Sequence, residues 1–180
     1  MNFAEYNVKD ANLEEVLLAL KSLDTVEAVA LGGSRSTGAS DENSDYDIYV
    51  YCAEIPTAET RENLLGKYCS IAEFGNHYWE SEDNTVMNNG VPVDIIYRDV
   101  DRFGRYIDTV IKGGKAFNGY TTAFWHNIKN SKVLFDKTGT FTKFRDMAQI
   151  DFPENLRSAI IKNNRNLLNG KLPSYDRQIK

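Results

Sequence analysis

The chain has 180 residues, of which 42% are hydrophobic and 26% are charged, a balance typical of a globular protein with one core. Its formal net charge of −5 disfavours a protein whose main partner is a nucleic-acid backbone, because such proteins cluster lysine and arginine. The sequence shows neither a signal segment nor an apolar run of the ~20 residues that cross a bilayer, and its two separated cysteines make no disulfide framework, so we expect a cytoplasmic protein without a membrane partner.

The first part of the chain alternates helical and strand-like segments. Apolar residues at helical spacing predict an amphipathic helix over residues 12–23. Residues 26–31 form a β-rich apolar run that ends in Gly32-Gly33, which predicts a strand that enters a tight turn. Residues 45–51 alternate between two faces and predict a second strand. A helix over residues 57–69 is expected after Pro56.

The second part of the chain begins with a predicted β-hairpin. The Asn-Gly dipeptide at residues 89–90 predicts the turn between strands over residues 85–87 and 91–97. Residues 100–111 form an amphipathic pattern that ends at Gly113-Gly114, which predicts a helix with a glycine cap. The remaining predicted elements are an edge strand over residues 132–135 and helices over residues 121–129, 140–149 and 154–168.

This order of elements predicts an α+β fold. We expect a small mixed β-sheet with helices on one face, followed by a helical C-terminal extension. The last predicted helix carries an apolar stripe of Leu156, Ile160, Ile161, Leu167 and Leu168. This stripe must be covered by the catalytic sheet, by a second copy of the chain or by a missing domain.

Two aspartates on one predicted strand are the first chemical signal. Asp45 and Asp47 are two residues apart, so on a strand they project from the same face at a separation of about 6.5–7 Å. Two carboxylates this close repel each other and lose solvation when they are partly buried. A divalent cation offsets that repulsion, and Mg²⁺ with phosphate oxygens is the common biological case.

The turn before this strand is the second signal. Gly33 allows a phosphate to approach the backbone, and the Ser34 hydroxyl adds a hydrogen-bond donor beside the amides of the following turn. Arg35 could add a charge-assisted bond, although it could equally be a surface residue that touches no phosphate. Phosphate donors and cation-binding carboxylates thus lie close together in the sequence, as a site for Mg²⁺ and a triphosphate requires.

The combination resembles the signature of the nucleotidyltransferase superfamily of the polymerase-β type. In this sequence the signature is Gly33-Ser34, ten residues, and then Asp45-x-Asp47, and residues 33–38 resemble the family's glycine-serine-arginine-x-x-glycine loop. The superfamily includes DNA polymerase β, the CCA-adding enzymes and the aminoglycoside and lincosamide nucleotidyltransferases. Its third carboxylate, on a later strand of the same sheet, corresponds to Asp94, although an aspartate on a strand can also simply face solvent. The resemblance covers roughly residues 24–98.

The resemblance implies the chemistry of the site. Asp45 and Asp47 would hold two Mg²⁺ ions, and Asp94 would bind the catalytic one. An acceptor hydroxyl would attack the α-phosphorus of a nucleoside triphosphate in line, and pyrophosphate would leave. Asp94 could also accept the hydroxyl proton, but a base from elsewhere is equally possible.

The acceptor and the extent of the catalytic unit are open at the level of sequence. The charge and the antibiotic-modifying relatives favour a small-molecule acceptor over RNA or a protein side chain. The other class of function is a nucleotide-binding module with weak catalysis that regulates a partner. We expect residues 1–150 to form the catalytic domain and residues 151–180 to begin a helical domain that is incomplete. A second copy of the chain or a missing helical domain would then complete the acceptor site.

Overall fold

The computed structural model describes residues 10–38, 41, 44–78, 80–117 and 121–165. The secondary-structure elements follow one another as α1 (Ala11–Ser22), β1 (Val26–Leu31), α2 (Gly33–Thr37), β2 (Tyr46–Cys52), α3 (Ala58–Leu65), a 3₁₀ turn (Gly66–Tyr68), β3 (Cys69–Asn76), β4 (Ser81–Met87), β5 (Pro92–Asp99), α4 (Val100–Ile111), α5 (Ala123–Asn130), β6 (Lys132–Asp136), α6 (Thr140–Ala148) and α7 (residues 154–165).

The six strands form one mixed sheet in the order β3-β4-β5-β2-β1-β6. Strands β2 and β5 run parallel at its centre, and the other four neighbouring pairs are antiparallel. The α+β class and the mixed sheet expected from the sequence are confirmed. The parallel central pair matters for function, because it brings the amino ends of two strands that are distant in sequence to the same edge of the sheet.

Helices cover both faces of the sheet, whereas one covered face was expected. The apolar side of α1, including Leu13 and Leu17, packs on one face of the sheet with Leu65 of α3. Aromatic and aliphatic side chains of α4, α5 and α6 pack on the other face. The reason lies in β1 and β2, which are buried along nearly their whole length and therefore need an apolar layer on each side.

Strand β3 is the element that the sequence did not predict. The helix expected over residues 57–69 ends at Leu65, and β3 begins at Cys69 after the 3₁₀ turn. Strand β4 is also longer than expected, since it begins at Ser81. Strand β4 is rich in polar residues, and β3, which mixes polar and apolar residues, lies largely exposed at the sheet edge. Pairing with a neighbouring strand, rather than intrinsic propensity, therefore makes them strands.

The predicted helices α1 and α4 and the predicted edge strand β6 are confirmed. Asp10 and Asp99 cap α1 and α4 through their side chains, which accept hydrogen bonds from backbone amides of the first turn. The last helix begins after Pro153, as expected, and its Leu156 is buried in the same hydrophobic cluster as side chains of α4, α5 and α6. Residues 166–180, on which the predictions for the end of this helix and for the tail depend, lie outside the described residues.

Within the part of the chain that the structure describes, no helix combines the length and the apolar character needed to span a bilayer.

Candidate active site

Asp47 and Asp94 are brought side by side by the parallel pair at the centre of the sheet. They are direct partners in the register of β2 and β5, near the amino end of each strand, so both side chains project from the same face. Asp45 lies just before β2 and is exposed. The structure thus places the third predicted carboxylate beside the Asp45–Asp47 pair, although 47 residues separate Asp47 from Asp94 in sequence.

The turn between β1 and α2 packs directly on this pair. The Gly32 amide donates a hydrogen bond of 2.8 Å to the Asp47 carbonyl oxygen. Gly33 has a φ of 59°, and a Cβ atom at this position would overlap the Asp47 carboxylate. Gly33 is therefore required both by its backbone conformation and by the close approach of the Asp47 side chain.

Ser34 and Arg35 follow in the short helix α2. The Arg35 guanidinium donates hydrogen bonds to the carbonyl oxygens of Ser44 and Asp45, and it stacks on the Tyr46 ring at 4.0 Å from the centroid. These contacts tie α2 to the segment that carries Asp45. A phosphate-binding role for Ser34 and Arg35 stays a prediction.

The three aspartates form a cluster of negative charge that no ion pair among the described residues neutralises. Burial, followed by the charges of Asp45 and Asp94, raises the pKa of Asp47 to about 6. Protonation or a bound cation would relieve the repulsion, and oxygen ligands from carboxylates suit Mg²⁺.

The site is not a preformed metal cluster. Among the residues that the structure describes, no three His, Cys, Asp or Glu side chains are grouped closely enough to enclose a metal ion by themselves. Two features nevertheless fit a divalent cation with its phosphate ligands. The donor set is made of carboxylates, and the only backbone that can pack against Asp47 at this point is glycine.

Asn84 and Asn76 are polar residues at the site that the sequence reasoning missed. Asn84 is the register partner of Asp94 on β4, and its Nδ2 donates a hydrogen bond of 2.9 Å to Asp94 Oδ1. Asn76 Nδ2 on β3 donates in turn to Asn84 Oδ1 at 2.6 Å. The predicted hairpin contained a signal for Asn84, because counting outward from the turn before Val91 pairs residue 84 with residue 94. No comparable signal existed for Asn76, since β3 was not predicted.

A separate cavity of about 680 Å³ lies at the other end of the same two strands. None of the three aspartates lines it. Asp99, which lines the cavity, lies five residues after Asp94 on β5, a separation of about 16–17 Å at the usual rise, so the cavity is a distinct compartment. Its walls are mainly aromatic rings and guanidinium groups, contributed by Arg61, Arg98, Arg102, Phe103, Tyr106 and Phe124.

Two of the guanidinium groups that line this cavity, those of Arg61 and Arg98, are already paired. Arg98 binds both carboxylate oxygens of Glu80 at 2.8 Å, donates to the Tyr51 hydroxyl, and lies 4.1 Å from the centroid of the Tyr49 ring. Arg61 forms a buried ion pair of 3.2 Å with Asp83. This cavity is thus not at the carboxylates, and the carboxylates are the stronger candidate for the chemistry because they combine unneutralised charge with a glycine turn.

Comparison with known protein families identifies the family of the chain. The profile of the nucleotidyltransferase domain family matches residues 13–117, a range that contains the glycine turn and all three aspartates. No curated protein sequence matches the chain.

Several solved structures are similar in part. A toxin–antitoxin structure with AMP-PNP is 16% identical, with a TM-score of 0.43, and the alignment covers 93% of this chain and 98% of that one. The Cid1 poly(U) polymerase is 18% identical with a TM-score of 0.42, over 63% of this chain and 38% of that one. A cytoplasmic RNA terminal U-transferase is 18% identical with a TM-score of 0.42, over 63% and 37%.

Proposed function

The chain belongs to the nucleotidyltransferase domain family, and we propose that it moves a nucleoside monophosphate from a nucleoside triphosphate to an acceptor hydroxyl in the presence of Mg²⁺. The observation that carries the proposal is the pairing of Asp47 with Asp94 in the parallel register, with the Gly33 backbone packed against the Asp47 carboxylate. A hydroxyl oxygen would form a bond to the α-phosphorus, the bond from that phosphorus to the β-phosphate oxygen would break, and pyrophosphate would leave.

Asp45, Asp47 and Asp94 would hold the metal, and we propose two ions, as in the sequence-based expectation. Mg²⁺, when bound, lowers the pKa of the acceptor hydroxyl and neutralises the charge that develops at the α-phosphorus. The raised pKa of Asp47 supports this role, since a carboxylate that is costly to ionise alone gains most from a neighbouring cation.

Gly33 and Ser34 would approach the triphosphate, because their turn is the backbone nearest to Asp47. Arg35 supports the site in a different way from the one first expected. Its guanidinium is engaged by the carbonyl oxygens of Ser44 and Asp45, so it holds the chain segment from which Asp45 projects. A direct contact between Arg35 and phosphate would require these hydrogen bonds to open.

We propose a small molecule as the acceptor. Two glutamates lie on the same face of the sheet as Asp94. Glu73 shares this face because Asn84 is the register partner of both Asp94 and Glu73, and Glu82 shares it because it lies two residues from Asn84 on β4. An acidic face disfavours a polyanionic acceptor such as RNA. The cavity at the carboxyl ends of β2 and β5 has the volume of a small-molecule site and could receive the distal part of such an acceptor.

The test is pyrophosphate release from each of the four NTPs with Mg²⁺, across a panel of hydroxyl-bearing acceptors, RNA oligonucleotides and the protein itself. Mass spectrometry would identify the acceptor by the added nucleoside monophosphate. We expect release with a small molecule, loss of release in Asp47→Asn and Asp94→Asn, and no loss in Asp24→Asn, which alters an exposed aspartate in the turn before β1. Labelling of RNA or protein alone would contradict the proposed acceptor class.

Thermal melting combined with the pyrophosphate assay separates this function from that of a regulatory nucleotide-binding module. Ligands that bind only the folded state raise the melting temperature by mass action. An enzyme and a module would both be stabilised by Mg²⁺ with NTP, but only the enzyme would release pyrophosphate. The absence of any NTP-dependent shift at millimolar concentration would contradict both functions.

A further inference from the structure

Asp94 is held from the side by a ladder of amide groups that crosses three strands. Asn84 on β4 donates to Asp94 Oδ1 at 2.9 Å, and Asn76 on β3 donates to Asn84 Oδ1 at 2.6 Å. The three residues lie on the same face of β3, β4 and β5, since Asn84 is the register partner of Asp94 and Asn76 pairs with Glu82, the next residue on that side of β4.

The direction of the hydrogen bonds in this ladder is fixed by Asp94, because an ionised carboxylate only accepts. An asparagine side chain can present either its NH₂ group or its carbonyl oxygen to a neighbour. Asn84 faces Asp94 with its NH₂ group, so its carbonyl oxygen is left to accept the hydrogen bond from Asn76. Asn84 therefore meets a carboxylate with a donor, which is the only favourable arrangement between them.

The carboxylate of Asp94 needs such a restraint. It faces Asp47 across neighbouring parallel strands, and repulsion between the two negative groups favours rotation of Asp94 away from the site. A hydrogen bond to one oxygen opposes that rotation before any cation is present. Donors of this kind, which orient a metal-binding side chain from behind, commonly change metal affinity or activity by about 10–100-fold when they are removed.

We propose that Asn84 is a positioning residue that holds the Asp94 carboxylate ready for a divalent cation, and that Asn76 holds Asn84 in place through a second hydrogen bond. The inference rests on the proposed function, because Asp94 is taken as a cation-binding residue. It assigns a role to β3 and β4 that the aspartates alone do not reveal. Strands β3 and β4 at the edge of the sheet thus help to orient a side chain of the site.

The test is the binding of Mn²⁺, followed by electron paramagnetic resonance, with the non-transferable analogue α,β-methylene-ATP. We expect Asn84→Ala to raise the dissociation constant of Mn²⁺ by about tenfold or more, and Asn76→Ala to raise it by a smaller factor. Asn88→Ala is the matched control. Asn88 also donates through Nδ2, to the Lys67 carbonyl oxygen at 3.0 Å, but it lies at the hairpin turn away from the aspartates, and its removal should leave Mn²⁺ affinity unchanged.

A second variant separates positioning from charge. Asn84→Asp has nearly the same shape but replaces the donor with another negative group. If Asn84 acts by donating to Asp94, this variant weakens Mn²⁺ binding even though the site gains a charge. Equal or tighter binding by Asn84→Asp would overturn the inference, and so would unchanged affinity in Asn84→Ala.

Melting temperatures of the unliganded variants guard against a purely structural explanation. We expect those of Asn84→Ala and Asn88→Ala to fall by similar small amounts, while only the former loses Mn²⁺ affinity. If the wild-type protein bound no Mn²⁺ with the nucleotide analogue, the proposed function itself would fail. If the wild-type protein bound Mn²⁺ and Asn84→Ala bound it equally well, the positioning role alone would fail.

Discussion

The two ends of the parallel strands β2 and β5 treat buried negative charge in opposite ways. At the amino end, Asp47 and Asp94 lie side by side without a cationic partner, and the pKa of Asp47 rises to about 6 through burial and through its acidic neighbours. At the carboxyl end, Arg98 is paired with Glu80, and Arg61, which lines the cavity there, is paired with the buried Asp83 on the other face of the sheet. Charge that the protein neutralises itself is part of the structure, whereas charge that it leaves unneutralised marks a place for a ligand.

The comparison predicts opposite effects on stability when a charged group is removed from each end. A removed partner at the carboxyl end leaves a buried charge alone, whereas a removed carboxylate at the amino end relieves repulsion. Four experiments test this contrast.

The largest effect is expected from Arg61→Met. Asp83 is fully buried, and without Arg61 its carboxylate would lose its ion pair, so we expect a loss of about 3–5 kcal/mol in the free energy of unfolding. Urea denaturation would measure this loss. The double variant Arg61→Met/Asp83→Leu is the control, and it should recover part of the lost stability because no uncompensated charge remains. A single variant within about 1 kcal/mol of wild type would contradict the paired role of this end.

Asp47→Asn should have the opposite signature. We expect turnover to fall by about a hundredfold to a thousandfold, the range typical for loss of one electrostatic group that stabilises a transition state. The unliganded protein should become more stable, because asparagine carries no charge that burial and the neighbouring aspartates would oppose. We expect a gain of about 1 kcal/mol in the free energy of unfolding, since Asp47 is partly exposed to solvent, which weakens these electrostatic effects. Pyrophosphate release and urea denaturation would measure the two effects, and wild-type turnover would rule out the site.

Gly33→Ala tests the close approach between the glycine turn and Asp47. The alanine would have to adopt a φ of 59°, and its Cβ would overlap the Asp47 carboxylate. We therefore expect a loss of about 1–3 kcal/mol in the free energy of unfolding together with weaker NTP binding. Gly38→Ala is a matched control, since Gly38 has a φ of 78° and open space around the same position. The control isolates backbone strain, and equal losses in both variants would show that contact with Asp47 has no effect.

The smallest expected effect is on the pH dependence of stability. The folded-state pKa of Asp47 is about 6 against about 4 when unfolded, so the folded chain binds more protons in this interval. Asp47 therefore makes stability fall as pH rises from about 4 to about 6, and the penalty is fully present above that range. Melting temperatures of unliganded wild type and Asp47→Asn, measured across these pH values, should diverge as pH rises, while Asp24→Asn should follow wild type. Parallel curves for wild type and Asp47→Asn would contradict the assignment.

The sequence by itself determined the family and much of the framework. The spacing of Gly33-Ser34 and Asp45-x-Asp47 indicated the family, because that spacing reflects a strand, a tight turn and a second strand that are all local in sequence. The amphipathic helices α1 and α4 were predicted for the same reason, since their periodicity is a property of short segments. Asp94 was identified through the resemblance and through its place on the predicted hairpin.

Only the tertiary structure decided how these parts meet. The direct pairing of Asp47 with Asp94 depends on a parallel register between strands far apart in sequence, which no local pattern encodes. Strand β3 escaped prediction because its polar residues become a strand only by pairing with β4, and the support that Asn76 and Asn84 give to Asp94 was hidden with it. Arg35 showed the same limit: its residue type suggested a phosphate ligand, but its contacts are with the loop carbonyl oxygens that only the folded chain brings within reach.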